Sequence, residues 1–357
     1  MEELFLLLNQ NLASSPSGFG PPNWKGGKPL GGKQEKENEV YTMKALVFDG
    51  VLRLADMPVP ARSRDQVLVR VTMAGICTTD HEILAGYMPG FKGVLGHEFI
   101  GVVEKAGDKK LVGKRVTAEI NCGCGACDYC KSGMERHCPN RTVIGIKDHD
   151  GAFAEHICVP AKNVVTIPDS IPDTTAIFIE PLAAALEIFE QISFENKSVL
   201  LIGDGKLGLL IAHAVRTSHC DLLVVGRHHE NLGLLAALGI KTALARDFVK
   251  KQFDVVIEAS GSPAAFPLAV ECVKPRGAIV LKSTYAEALA FNPSPIVVNE
   301  ITLIGSRCGR FGDAVRFMET VAPDFSGLIA REFTFDNAVE AFEYSKKPGV
   351  LKVLLKM

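Results

Sequence analysis

From residue 198 onward, short apolar runs alternate with helical stretches: "SVLLIG", "DLLVVG", "FDVVIEAS", "GAIVLKS" and "ITLIGS". Strands that read as near-continuous Val, Ile and Leu are buried on both faces, and the intervening helices are what covers them. Five such strands predict a parallel sheet between two helical layers. The first runs into "VLLIGDGKLGLLIAHAV", where Gly203, Gly205 and Gly208 spell G-x-G-x-x-G. That pattern is common by chance, but here it lies between a strand and a helix. Glycines there permit a tight turn and close approach of a pyrophosphate, and the helix start offers free N–H groups. A glycine-rich turn without a ligand is the plainer alternative, and the flanking elements weigh against it.

The chain before residue 170 has a different texture. "QVLVRVTMAGI", "FIGVVEKAG", "KRVTAEI" and "AFAEHICVP" are short strands punctuated by Gly and Pro, which predicts a β-rich, barrel-like domain. Helical periodicity over "TTAIFIEPLAAALEIFEQI" separates the two textures, and "REFTFDNAVEAFEYSKKPGVLKVLLKM" returns with a helix and a strand that rejoin the first domain. The boundaries read as 43–171 for the β-rich domain, 172–310 for the parallel-sheet domain and 311–357 for the return. Residues 1–42, rich in Gly, Pro, Ser and charge, read as a disordered extension. There is no internal repeat.

With 357 residues, 47% of them hydrophobic, the chain can bury a large core, and a net charge of -2 offers no basic stripe for nucleic acid. No apolar run reaches the roughly 18 residues of a membrane span. "LFLLL" is short and follows two glutamates. These features place the chain in the cytoplasm with small molecules as partners, and leave organellar targeting by the extension open.

The stretch "NCGCGACDYCKSGMERHCPN" holds half of the ten cysteines. Cys124, Cys127, Cys130 and Cys138 are spaced to close a four-thiolate tetrahedral site with no open position, so a metal there is structural. An iron–sulfur cluster would place its fourth cysteine nearer the third, which favours zinc. Cys122 stays unassigned; Cys158, Cys220, Cys272 and Cys308 read as small core residues. A closed site does no chemistry, but "AGICTTDHE" and "GVLGHEF" add Cys77, His97 and Glu98, ligand types suited to a catalytic zinc with an exchangeable position.

The succession "GIC.TD", "GHE", four-cysteine loop, "EPL", dinucleotide turn, "EASG" and "GVLK" resembles the zinc-dependent medium-chain dehydrogenase/reductase family, the alcohol, polyol and threonine dehydrogenases, over residues 43–357. The resemblance implies an α/β fold: a GroES-like β-rich catalytic domain carrying both zincs, with an inserted Rossmann domain. It implies hydride transfer between an alcohol or carbonyl and a nicotinamide cofactor, with two zincs per chain and a dimer or tetramer. Cys77 and His97 fall on catalytic zinc ligands and Glu98 on the carboxylate beside or on the metal. Glu180 stands where polyol dehydrogenases have glutamate and alcohol dehydrogenases cysteine, and would hold zinc directly or through water. Asp80 matches an acid that orients the histidine, Thr79 the hydroxyl that passes the proton outward. Many relatives then carry histidine, whereas this chain has Glu82, preceded by His81. Lys352 matches a basic residue that approaches the cofactor pyrophosphate.

At the end of the second parallel strand an NAD enzyme usually carries an acid; this chain has Gly226, Arg227, His228 and His229, which favours the 2′-phosphate of NADP over NAD. Tyr87, Met88 and Phe91 suggest an apolar substrate entrance. Two rivals remain open at this level: a zinc-free enzyme of the quinone-reductase type, which should lack the cysteine lobe and "GHE", and a non-catalytic zinc-stabilised binding protein.

Overall fold

A computed structural model describes residues 41–285, 289 and 291–357. Apart from its last two residues, the expected extension lies outside them, and Thr42 already belongs to the first strand, Thr42–Phe48.

The apolar runs after residue 197 form one parallel sheet of six strands: β1 (Ser198–Ile202), β2 (Asp221–Gly226), β3 (Lys241–Leu244), β4 (Phe253–Glu258), β5 (Val273–Leu281) and β6 (Thr302–Gly305). Their order is β3-β2-β1-β4-β5-β6, so the chain reverses direction across the sheet between β1 and β4. Five of these strands were legible; β3, "KTAL", is short and only half-buried, so it lacks the continuous apolar signature. The reason for that signature is visible in β1: Val199 and Leu201 enter one hydrophobic cluster, Leu200 and Ile202 the other. Each fully buried side chain of this kind contributes roughly 1.5–3 kcal/mol.

The β-rich part is built around the long strand Gln66–Ile76. It pairs antiparallel with Glu98–Lys105 on one side and with Lys352–Lys356 on the other, while His156–Pro160 lies along its first half. Arg115–Ala118 and Val164–Thr166 extend the sheet at one edge and Ile329–Thr334 at the other. Thr42–Phe48, Leu52–Pro58 and Gly93–Val94 form a smaller sheet. The cysteine-rich stretch projects as a lobe closed by the pair Asn121–Cys122 and Thr142–Val143.

The helical stretch between the domains is three short helices, Asp173–Ala176, Ile179–Leu186 and Ile188–Gln191, rather than one. Proline lacks an N–H and is tolerated only in a helix's first turn, so Pro181 forces a new start just before it, and Phe178 turns the chain at φ -89° and ψ 4°. The middle helix packs against Lys206–Val215, Phe311–Val321 and the strand Glu98–Lys105. The β-rich and parallel-sheet parts thereby join in one compact unit.

Candidate functional site

Three adjacent strands bring the first group of side chains together. Gly75 lies opposite Glu98 on one side and Leu354 on the other. A Cβ at Gly75 would come within 2.6 Å of Glu98 Oε2 and 3.3 Å of Lys352 Cδ. Its absence lets the Lys352 ammonium donate to Glu98 Oε2 across the bare backbone. Both side chains are almost wholly buried, at 2% and 1% exposure, so neither charge is tolerable without the other. Lys352 was expected near a cofactor phosphate; its ammonium is instead committed to Glu98.

Cys77 follows the same strand and caps the helix Thr78–Leu84. The fully buried Asp80 accepts from the Cys77 N–H at 2.8 Å and turns its other oxygen towards His97 Nδ1, 3.4 Å away. Gly96, at φ +97° and with the Phe153 ring filling the place of a side chain, makes the turn that aims His97 inward. One ligand atom each of Cys77, His97 and Glu98 lies within 4.8 Å of the others. Glu98 Oε1 is buried and makes no hydrogen bond. Burial opposes a charge on His97, but Asp80 and the Cys77 sulfur outweigh it and raise the imidazole's proton affinity. A soft thiolate, an imidazole and a carboxylate with an idle oxygen fit a zinc ion with a free coordination position.

Glu180, in the first turn of Ile179–Leu186, stands outside that trio. Burial pushes its carboxyl up to about 7, with His97 pulling down and Glu98 pushing up. Lys206, the first residue of the helix after the glycine turn, has its ammonium depressed by burial and by Lys352, and is drawn the other way by Cys77, Glu98 and Asp80. The helix that follows the glycine turn therefore starts near enough to the three ligands for Lys206 to feel their charges. Lys206 escaped the sequence reading although it sits inside the glycine pattern; only folding shows what it faces. Cys308, expected as a core residue, is half-buried, and both burial and the Glu180 charge raise its thiol. Of His81 and Glu82, the two candidates to continue the relay beyond Thr79, His81 is engaged elsewhere: its Nε2 bonds Ser345 Oγ at 2.8 Å and its ring meets Phe342 edge-on. Glu82 is half-buried, which raises its carboxyl.

The four lobe cysteines also converge, each sulfur within 4.8 Å of the rest, with Cys127 and Cys138 3.6 Å apart. Thiolates around a tetrahedral zinc at about 2.3 Å stand roughly 3.8 Å apart. The N–H groups of Ala126 and Cys127 depress the Cys124 thiol, whereas burial and its sulfur neighbours raise that of Cys130. Such crowded sulfurs ionise together only around a cation. Cys122 is outside the set, with its thiol raised to about 11 by burial.

At the glycine turn, a Cβ on Gly208 would collide with the Gly203 carbonyl, so the helix approaches its strand only because residue 208 is glycine, while a Cβ on Gly203 would meet the Ala259 backbone. The end of β2 holds a feature the sequence hid. A Cβ on Gly226 would run into the Asp204 carboxyl, which comes from the glycine turn and fills the space beside the strand end. Asp204 accepts from the His228 N–H at 2.6 Å and lies 3.1 Å from His228 Nδ1, with only 5% of its side chain exposed. Arg227 is exposed.

Residues 63–169 match the family described as alcohol dehydrogenase GroES-like domain, and residues 207–322 the one described as zinc-binding dehydrogenase. L-threonine 3-dehydrogenase of Xanthomonas campestris is 31% identical over 74% of this chain and 84% of its own length. Sorbitol dehydrogenase of Halalkalibacterium halodurans is 27% identical over 88% and 99%. Among solved structures, a putative zinc-binding dehydrogenase from Sinorhizobium meliloti bound to NADP superposes with a TM-score of 0.83 at 27% identity, covering 89% of this chain and all of that one. An alcohol dehydrogenase (rspB) from Escherichia coli complexed with NADH gives 0.82 at 27%, covering 88% and 99%. With both family matches, both relatives and both folds in agreement, the chain belongs to the zinc-dependent medium-chain dehydrogenase/reductase family, with a GroES-like catalytic domain and an inserted Rossmann domain.

Proposed function

We propose that this NAD(P)-dependent oxidoreductase oxidises an alcohol or polyol, or reduces the matching carbonyl, at a zinc held by Cys77, His97 and Glu98. The observation that carries the assignment is the convergence of those three ligand types within 4.8 Å of one another. A zinc ion there supplies Lewis acidity that lowers the hydroxyl pKa, and the nicotinamide supplies the hydride acceptor. The protein's part is to hold the ligands: Asp80 orients His97, and Lys352 balances Glu98. Glu180 holds the position next to the trio, as a fourth ligand or through water, which suits the polyol and threonine branch. Thr79 and Glu82, three residues apart on one helix face, form the outward proton path, since His81 is turned to Ser345. Tyr87, Met88 and Phe91 line the entrance.

A second zinc in Cys124, Cys127, Cys130 and Cys138 is structural. NADP is preferred over NAD: exposed Arg227 and half-exposed His228 flank the strand end, and the Asp204 carboxylate is occupied by His228. Homo-oligomers form along β6, where Leu303 is exposed, as are Val297 and Val298 on the short helix Ser294–Val298 before it. Reduced thiols in all ten cysteines suit the cytoplasm, and among the described residues no helix is long and apolar enough to cross a membrane. Metal analysis together with assays on alcohols, polyols and amino alcohols with both cofactors tests the assignment. Two zincs per chain are expected, and Cys77→Ser should abolish turnover while keeping the lobe zinc. An active Cys77→Ser enzyme would refute the catalytic role.

A further inference from the structure

The cysteine lobe and the helix bearing Glu180 are distant in sequence but joined by a set of charged contacts. Arg136 lies in the single turn Glu135–His137, immediately before the fully buried Cys138. Its Nη1 donates to Glu187 Oε2 at 2.7 Å and to the Cys308 carbonyl. The joint is reciprocal: Arg307, next to Cys308, sends its Nη2 back to the Arg136 carbonyl at 2.8 Å. Glu187 caps the C-terminal end of Ile179–Leu186, whose first turn carries Glu180. At that same end Lys282 donates to the Ala184 carbonyl at 2.6 Å and to the Arg307 carbonyl at 2.9 Å. Arg136 and Glu187 are only 20% and 16% exposed, so water and salt screen the pair weakly. A planar guanidinium can serve a carboxylate and a carbonyl at once, which an ammonium does less well.

From this arrangement we propose that Arg136 is a positioning residue that couples the four-cysteine lobe to the catalytic cluster by holding the far end of the helix that carries Glu180. The helix is the lever. Seven residues separate Glu180 from Glu187, about 10 Å of rigid rise, so a shift at one end moves the carboxylate at the other. Metal in the lobe fixes Cys138 and hence the backbone of Arg136, giving a site that does no chemistry a grip on one that does. The inference rests on the dehydrogenase reading.

The test uses the full chain with cobalt(II) exchanged into the Cys77 cluster, its visible absorption reporting ligand geometry beside steady-state kinetics and the metal content of the lobe. Arg136→Met should shift the cobalt band and lower kcat about tenfold, since small misplacements of reacting groups are costly, with the KM for NADPH changed less than about twofold. Glu187→Gln, which touches no cysteine, should give the same shift, and the double variant should be no worse than either single one. Arg136→Lys should recover part of kcat. Unaltered cobalt spectra and kcat in both single variants, with only a lower melting temperature, would overturn the coupling. Should Arg136→Met shed the lobe metal, Glu187→Gln decides alone. Failure of the unsubstituted protein to take cobalt at Cys77 would instead overturn the dehydrogenase reading, and this inference with it.

Discussion

Arg227 and Asp204 both stand at the end of β2, where the proposed function puts the cofactor's adenosine end. The sequence suggests a strand end without an acid, but folding delivers one from the glycine turn and pairs it with His228. Arg227→Ala should weaken NADPH binding about tenfold, the worth of one charge-assisted contact, and leave NADH nearly unchanged in a fluorescence titration. A second residue-scale consequence concerns His213, 4% exposed on Lys206–Val215 with its ring edge-on to Phe325. Burial, helped by Arg216, lowers its pKa to about 4. An unfolded histidine takes up its proton near 6.5, so between about 6.5 and 4 the unfolded state binds more protons. This contribution to stability is present in full above that window and drains away as pH falls through it, by on the order of 3 kcal/mol. His213→Leu should flatten the difference between urea midpoints measured at pH 7.5 and pH 5.

At the scale of elements, strand ends and turns decide what a substitution can achieve. Placing an acid at Gly226, the usual recipe for an NAD enzyme, should fail here: Gly226→Asp collides with Asp204 and should lower both the melting temperature and the affinity for either cofactor. The paired change Asp204→Gly with Gly226→Asp should restore folding and favour NADH in the same titration. The parallel strands and the glycine turn were legible because burial on both faces imposes continuous apolar runs, as in β1 and β4. The short edge strand β3 was not, because a half-exposed strand carries no such signature. Cys77, His97 and Glu98 could be named from their chemistry, but only packing brings them within reach of one another. Neither the pull of the ligand charges on Lys206 nor the pairing of Lys352 with Glu98 leaves a local trace, since each depends on elements far away in the chain.

For the whole molecule, the exposed edge of the parallel sheet sets an expectation about assembly. Val298 is 77% exposed and Leu303 42%, at or next to β6, the edge strand of the parallel sheet among the described residues. Replacing both with aspartate should yield monomers in analytical ultracentrifugation while leaving the melting curve of each subunit recognisable. The crossing of the chain between sheets has a further consequence. The strand Lys352–Lys356, which completes the sheet begun by Gln66–Ile76, is encoded after all six strands of the parallel sheet. During synthesis the parallel sheet can therefore form first, while Glu98 cannot be buried with its partner until Lys352 has been translated. The order of the strands along the chain thus predicts that the Cys77 cluster closes last, after the parallel sheet has formed.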